Sequence, residues 1–470
     1  MEKLLIGGKW VDGISNQVLR EKFSDVPYGE MAIASSAQVE LSVTGALLAS
    51  RTAILAPYQR FKILANAADI VLSRMRPLTD LMRAEAGFTR ADCEGEVKRC
   101  AQTLVLSGEE GKRLVGEMIP MEAAPGVINR FGFTIRVPRG VVCAITPFNS
   151  PLNTLAHKVA PALAGGNAVV IKPSEFTPLT AVELCKILLE AGLPSTLVSL
   201  VHGDGAAIGR QLLEDQRIAF YAFTGSTRVG REIQRIAGLR GVQLELGSIA
   251  PTIVCEDANI DLAVAKITNA AFRKAGQVCT SVQRLLVHRS IAPDLIPRLI
   301  ASTRLMKAGD PADDTVLIGP MISVMHAQRA EAWIAEAVRD GARVLVGGKR
   351  ENAVMEPTIL DRVNGQMKVV CEEIFAPVLS LIEFDTLEEA IEIANSTPFG
   401  LSVGIFTANL HTAFDAARQL RFGGIHVNEA SSARVDVMPF GGVKDSGFGR
   451  EGPRYAIREM TEERLVTVAH

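Results

Sequence analysis

The chain of 470 residues is long enough for two or three domains with well-buried cores, and 48% apolar against 22% charged residues is the make-up of a globular protein, not a disordered one. Fifty basic residues against fifty-two acidic ones give a formal net charge of −2, which excludes a global field drawing the chain to nucleic acid or an anionic membrane. Seven scattered cysteines (93, 100, 143, 185, 255, 279 and 371) without a Cys-x-x-Cys pair argue against disulfides and a structural zinc, and with no leader or membrane span evident a cytoplasmic location is expected.

Residues 4 to 12 read as a short edge hairpin. Apolar spacings of three and four predict helices from Val39 to Leu55 and from Phe61 to Met75. A third helical stretch, Leu78 to Leu106, is expected to end in the turn-rich Ser107-Gly108-Glu109-Glu110-Gly111. Between Gly126 and Val137 the pattern alternates, and with Pro138-Arg139-Gly140 as its stop it suggests a projecting hairpin. From residue 141 short apolar runs alternate with amphipathic ones, the pattern of a parallel sheet crossed by helices. Strands are expected at Val141 to Ile145, Ala168 to Ile171, Leu197 to Val201, Ile218 to Phe223 and Val242 to Leu246. Helices fall between them at Thr154 to Leu163, Pro178 to Glu190, Ala206 to Leu213 and Thr227 to Ile236. A second series supplies strands at Thr252 to Cys255, Arg284 to Val287, Arg343 to Val346, Leu379 to Phe384, Ser402 to Phe406 and Gly424 to Val427. The fold class is therefore α/β, and the two units, with no flexible linker between them, should share a cleft.

Chemistry-bearing residues recur at the carboxyl ends of the first strands, where open parallel sheets bind ligands. The first strand runs into Ile145-Thr146-Pro147-Phe148-Asn149-Ser150-Pro151. Two prolines fix that loop, so the Asn149 amide could serve an oxyanion, with a turn asparagine as the structural alternative. In Lys172-Pro173-Ser174-Glu175 a cation and a carboxylate three apart could grip a ribose diol or form a surface salt bridge. Gly203-Asp204-Gly205-Ala206-Ala207-Ile208-Gly209 opens a helix and fits backbone amides approaching a pyrophosphate, although its spacing is non-standard. Phe223-Thr224-Gly225-Ser226 opens the next helix. Leu244-Glu245-Leu246-Gly247 sets a carboxylate between leucines, where burial would make it a usable base, unless it is an exposed strand-end acid. Gly276-Gln277-Val278-Cys279-Thr280-Ser281 surrounds one thiol with small and polar neighbours. A thiolate attacks carbonyl carbon well at neutral pH; an inert core cysteine is the alternative.

These elements, in this order, resemble the aldehyde dehydrogenase superfamily. The resemblance runs from Ile6-Gly7-Gly8-Lys9-Trp10 to Pro439-Phe440-Gly441-Gly442-Val443-Lys444-Asp445-Ser446-Gly447 and includes Glu372-Glu373-Ile374-Phe375-Ala376-Pro377-Val378. It implies two Rossmann-like parallel-sheet domains and a small β oligomerisation element. Residues 1-118 and 140-248 would bind NAD, 249-446 would carry the nucleophile, and 119-139 with 454-470 would join subunits into a homodimer or homotetramer. It further implies that Cys279 attacks an aldehyde, Asn149 and the Cys279 amide hold the oxyanion, and Glu245 activates water against the thioester. Lys172 and Glu175 would bind the adenosine ribose with Ser174 also touching the cofactor, Gly205, Gly209 and Ser226 would lie along adenine and pyrophosphate, and Glu373 and Phe375 would place the nicotinamide. Ile145, Thr146, Pro147, Phe148, Phe223, Thr224, Gly225, Leu246 and Gly247 would complete the cofactor wall. Glu175 would repel a 2′-phosphate, so NAD is favoured over NADP. Lys158 and Glu451 match places given to a proton relay in some relatives, against which they read as solvated charges.

Two departures stand out: Ser248-Ile249 replaces the usual Gly-Lys, and Ser150 replaces an aromatic. The closing stretch from Arg434 to Gly452 looks most like the branch oxidising lactaldehyde, glyceraldehyde-3-phosphate or phosphonoacetaldehyde. For such substrates Arg99 and Arg434, with Ser150 and Asn153, are the candidate contacts, and ion pairs at the surface or between subunits are the alternative for both arginines. A short hydroxylated or anionic aldehyde is thus the expected substrate, with a broad-range neutral aldehyde dehydrogenase as the alternative. Glu245 argues against transfer to coenzyme A. No histidine pairing supports a cysteine hydrolase. A non-catalytic protein on this fold would not need Asn149, Glu245 and Cys279 together. No metal site is expected.

Overall fold

A computed structural model describes residues 1–469. It contains two large sheets. In spatial order the first runs Lys9–Val11, Leu4–Ile6, Val198–Leu200, Ala168–Lys172, Val141–Ile145, Phe220–Thr224, Gly241–Glu245 and Gly447–Phe448. Its five central strands are parallel, and the hairpin at residues 4–11 caps one edge as expected. The central strands read as unbroken apolar runs because helices cover both faces of the sheet. The second sheet runs Arg343–Val346, Thr358–Asp361, Val378–Phe384, Arg284–His288, Pro251–Val254, Ser402–Phe406 and Gly424–Val427. Only its Arg343–Val346 edge is antiparallel. Side chains alternate across this sheet, so Val254 and Ile253 enter separate cores on its two faces.

One hydrophobic core joins residues 4–104 to residues 141–246, which unites the two segments read as one unit. The same core takes in Ala456, Ile457 and Met460. Residues 454–459, expected with the C-terminal strand, instead belong to the helix Pro453–Glu459, Met460 follows it, and the strand begins at Thr461. That strand, Thr461–Ala469, pairs along its whole length with Arg130–Pro138, which also pairs with Met118–Ile119. The projecting element is thus a three-stranded antiparallel sheet.

Two helical expectations are corrected. The stretch beginning at Leu78 is two helices, Met75–Ala86 and Arg90–Lys112, separated where Gly87 takes a left-handed φ of 73° and Thr89 caps the second helix. That second helix passes straight through the cluster read as its end. Gly108 and Gly111 are contact points: a Cβ on Gly108 would lie 3.1 Å from the Phe61 ring, and one on Gly111 would lie 3.0 Å from the Ala164 carbonyl. A further hairpin, Ser15–Arg20 with Pro27–Ile33, has too few apolar residues to announce itself and was not expected.

Because Gly111 is where this helix meets the end of Asn153–Ala164, Gly111→Val should overpack the contact and destabilise the protein by about 1–3 kcal/mol. A urea-unfolding midpoint equal to that of the parent would contradict this packing.

Candidate active site

Strand order in the first sheet reverses between Val141–Ile145 and Phe220–Thr224, and a crevice opens beyond their carboxyl ends. The second sheet meets it with the amino ends of its strands. Cys279 lies just before strand Arg284–His288, and Glu373 and Phe375 lie just before Val378–Phe384. A cleft of about 440 Å³ runs between Thr146–Asn149, Lys172, Ser174, Glu175, Phe223–Ser226 and Glu245–Gly247 on one side and Cys279, Glu373 and Phe375 on the other. A smaller cavity of about 60 Å³ continues inward past Arg99, Ser150, Asn153 and Arg434. Asn149, Thr224, Glu245 and Cys279 line both.

The chain reaches Cys279 through an unusual backbone. Lys274, Ala275 and Gly276 follow one another at φ 52°, 54° and 66°, all left-handed. Each of the two non-glycine residues stores strain on the order of 1–3 kcal/mol, which surrounding contacts must hold. Gly276 has no alternative, since a Cβ there would sit 2.1 Å from the Ala376 carbonyl oxygen. Phe375, on the facing loop, is also left-handed at φ 50°. Its ring meets Phe148 edge-on at 5.9 Å, which clasps the asparagine loop to the second half.

Burial, reinforced by the neighbouring Glu245 charge, pushes the Cys279 thiol well above its ordinary pKa. Glu245 is almost fully buried at the end of its strand, and its Oε1 has no hydrogen-bond partner. Its carboxyl is pushed up to about 7, first by burial and then by the charge of Glu451, against which the Cys279 thiol, Arg434 and Lys158 pull down. The strand-end acid is therefore not solvent-exposed. Lys158 and Glu451 are not solvated either: they are fully buried and meet at 2.7 Å, with Arg434 at 2.9 Å on the other Glu451 oxygen. Burial alone would raise Glu451, but Lys158 and then Arg434 hold it well below the usual carboxylate range. The two residues are 293 positions apart, so sequence spacing carried no sign of the pair.

In the larger cleft, Lys172 and Glu175 face each other at 3.5 Å. The Gly205 amide donates to Glu175 and the Ala206 amide to Asp204, so the glycine-rich turn has no free amides at these positions for a phosphate. Gly205, Gly209 and Ile145 do not line the cleft. Ser226, by contrast, caps the helix Thr227–Ala237, whose amino end opens into it. Glu373 accepts from the Ser248 amide at 2.9 Å and is pushed up to about 7 by burial. A Cβ on Gly247 would come within 2.8 Å of Glu373 Oε2. Phe176, Val229, His326 and Arg329 also line the cleft and were not anticipated. His326 and Arg329 come from a helix of the second half, Val324–Arg339, which no motif links to the site.

The arginines are not equivalent: the Arg99 side chain is partly exposed and that of Arg434 is largely buried. Arg99 holds Asp436 with two bonds, 3.1 and 2.7 Å, and the same carboxylate takes Asn153 at 3.2 Å and His157 at 2.8 Å. Arg434 pairs with Glu451 and lies 3.8 Å from the Phe440 ring centre, with its Nε unpartnered. Arg273, missed from the sequence, lines the same cavity and bonds only the Ser432 hydroxyl, at 2.7 Å. It forms no ion pair with a carboxylate among the described residues, and burial lowers its pKa. The signal was present as adjacent cations, Arg273 and Lys274, interrupting an apolar approach to the cysteine.

A crevice suited to a dinucleotide, ending on a thiol and a near-neutral carboxyl group, places the chain among nucleotide-dependent oxidoreductases. The sequence profile of the Aldehyde dehydrogenase family matches residues 10–466, and the chain belongs to that family. It is 45% identical over 465 residues to 3-sulfolactaldehyde dehydrogenase of Priestia aryabhattai, covering 99% of this chain and 97% of the relative. Glyceraldehyde-3-phosphate dehydrogenase of Methanocaldococcus jannaschii, solved with NADP, superposes with a TM-score of 0.93 at 36% identity, over 97% of this chain and 99% of that one. An NAD-dependent aldehyde dehydrogenase of Sinorhizobium meliloti superposes with a TM-score of 0.96 at 34% identity, over 100% and 94%. The protein is thus an aldehyde-oxidising enzyme using NAD or NADP. Among the described residues no helix is long and apolar enough to cross a membrane, and no cluster of side chains could hold a metal ion.

Glu451→Gln removes the charge that lifts the Glu245 carboxyl and leaves Lys158 and Arg434 unopposed, and both changes lower its pKa. Where activity follows ionisation of Glu245, the pH–rate profile rises through about 7 in the parent and at lower pH in the variant. A midpoint moved upward, or not at all, would contradict this coupling.

Proposed function

We propose that the enzyme oxidises a short hydroxylated or anionic aldehyde to its carboxylic acid through a thioester on Cys279. The observation that carries the substrate class is Arg273: a cation without a carboxylate partner on the wall of a cavity of about 60 Å³. A cavity that small suits a short chain, and an anionic end group would give Arg273 the partner it lacks. Sulfonate, phosphate and carboxylate all satisfy that chemistry. The 3-sulfolactaldehyde and glyceraldehyde-3-phosphate named in two similar proteins both carry an anion and a hydroxyl.

Glu245, with its pKa near 7, takes the thiol proton, and the Cys279 sulfur bonds to the aldehyde carbon. The resulting oxyanion receives hydrogen bonds from the Asn149 side chain and the Cys279 amide, which has no other acceptor among the described residues. The bound nicotinamide supplies the acceptor for the hydride that leaves this carbon. Glu245, having passed the thiol proton to solvent, then takes a proton from water as the oxygen attacks the thioester, and the carbon–sulfur bond breaks to release the acid, with Glu245 returning that proton to the departing Cys279 sulfur. Residues 1–118 and 140–248 hold the cofactor, with Lys172, Ser174 and Glu175 at the adenosine ribose, Glu373 and Phe375 at the nicotinamide end, and Ser226 near the phosphates. The Glu175 carboxylate supports NAD over NADP. Residues 249–446 carry the nucleophile.

The three-stranded sheet leaves Phe131, Ile135, Leu465 and Val468 exposed, which supports a homodimer or homotetramer. All seven cysteines are free, as in a reducing compartment such as the cytoplasm.

Arg273→Ala should lower kcat/KM for 3-sulfolactaldehyde or glyceraldehyde-3-phosphate by tenfold or more, matching the ~1.5–3 kcal/mol of a hydrogen bond to a charged group, and leave short neutral aldehydes unchanged. Equal losses on both classes would leave a broad-range neutral aldehyde dehydrogenase as the better reading. With the preferred aldehyde, kcat/KM should be higher with NAD than with NADP, and Glu175→Gln should narrow the gap. A parent enzyme more efficient with NADP would contradict the role given to Glu175.

A further inference from the structure

Asn149 has few constraints for a residue asked to meet an oxyanion. Among the described residues neither its side-chain amide nor its backbone N–H makes a hydrogen bond within the protein. Its one hydrogen bond is at the carbonyl oxygen, which accepts from Lys274 Nζ at 2.9 Å. Lys274 belongs to the left-handed run that leads into Cys279, five residues further on. The ammonium is buried, 2.7 Å from Glu96 Oε2 and 4.5 Å from the centre of the Phe88 ring. Glu96 uses its other oxygen to accept the amides of Leu152 and Asn153, at 2.9 and 3.2 Å, where the asparagine loop turns into its helix.

We propose that Lys274 is a positioning residue that registers the oxyanion-binding amide of Asn149 against the nucleophile. The proposal rests on the oxyanion role given to Asn149 above. Cys279 and Asn149 come from different sheets, so their separation depends on how the two halves are joined. Lys274 shortens that path to one side chain: its backbone is part of the nucleophile loop, its ammonium holds the Asn149 carbonyl, and Glu96 fixes that ammonium to the loop's far end. The left-handed backbone turns the side chain toward the first half, which gives the strain at residues 274–276 a use. The ammonium is occupied by Glu96 and the Asn149 carbonyl, whereas Arg273 beside it lacks a carboxylate partner. The two neighbouring cations thus divide the work, Arg273 toward the substrate and Lys274 toward Asn149.

A double-mutant cycle tests this, read as the single-turnover rate of nicotinamide reduction at saturating aldehyde. Lys274→Met should slow the parent by tenfold or more, with KM changed by less than about threefold for anionic and neutral aldehydes alike, and should slow Asn149→Ala enzyme by less than threefold. Lys274→Arg keeps the buried charge while changing its reach; it should show a smaller loss that also vanishes in the Asn149→Ala background, and it serves if the methionine variant does not fold. Equal losses in both backgrounds, or a change confined to KM for anionic aldehydes, would overturn the proposal. If Asn149→Ala alone leaves the rate unchanged, the oxyanion role itself has failed, an outcome separate from additive losses.

Discussion

The site depends on Glu451, a carboxylate buried where no charge could remain alone. Lys158 reaches it from the helix after the asparagine loop and Arg434 from the closing segment of the second half, so one anion draws groups from both sides of the cleft to one point. Taking these charges out of water is unfavourable unless each is matched, and removing a single partner strands the others. The return is chemical. Burial first, and then the charge of Glu451 held ionised, keep the neighbouring Glu245 protonated to a pH near neutrality, and a base of that strength forms without a histidine.

The same matching extends inward. Arg99, itself partly exposed, meets the buried Asp436, and Lys274 meets Glu96 in an enclosed pair, and both carboxylates are bonded to further groups. Arg273 is the exception: it lies on the cavity wall without a carboxylate partner, so the cavity is shaped by charge as well as volume. The backbone shows a parallel economy of position. Left-handed residues occur on both loops that meet beside the nucleophile, at 274–276 and at 375, and they pack against each other where Gly276 faces the Ala376 carbonyl.

Much of this was legible in the chain. Parallel strands buried on both faces are continuous apolar runs, so their positions could be read closely, and Asn149 and Glu245 stood out as polar groups at their ends. The family motifs then supplied the partners. What could not be read depended on distance or on absent side chains. Lys158 and Glu451 look like surface charges until the fold brings them together. Gly108 and Gly111 look like a turn until a facing helix needs their missing Cβ atoms, and the residue 203–209 turn looks like a phosphate loop until Glu175 and Asp204 take its amides. The hairpin at residues 15–33 carries too little apolar alternation to register as strands.

In the proposed reaction one cysteine of seven becomes covalently acylated, and Glu245 releases the acyl group. Intact-mass and peptide-mass measurement of Glu245→Gln enzyme, mixed with NAD and a turned-over aldehyde, addresses it directly. One acyl group per chain, located on Cys279, should accumulate with one equivalent of reduced nicotinamide. Reduction that continues at the parent rate with no adduct, or an adduct on another cysteine, would contradict it.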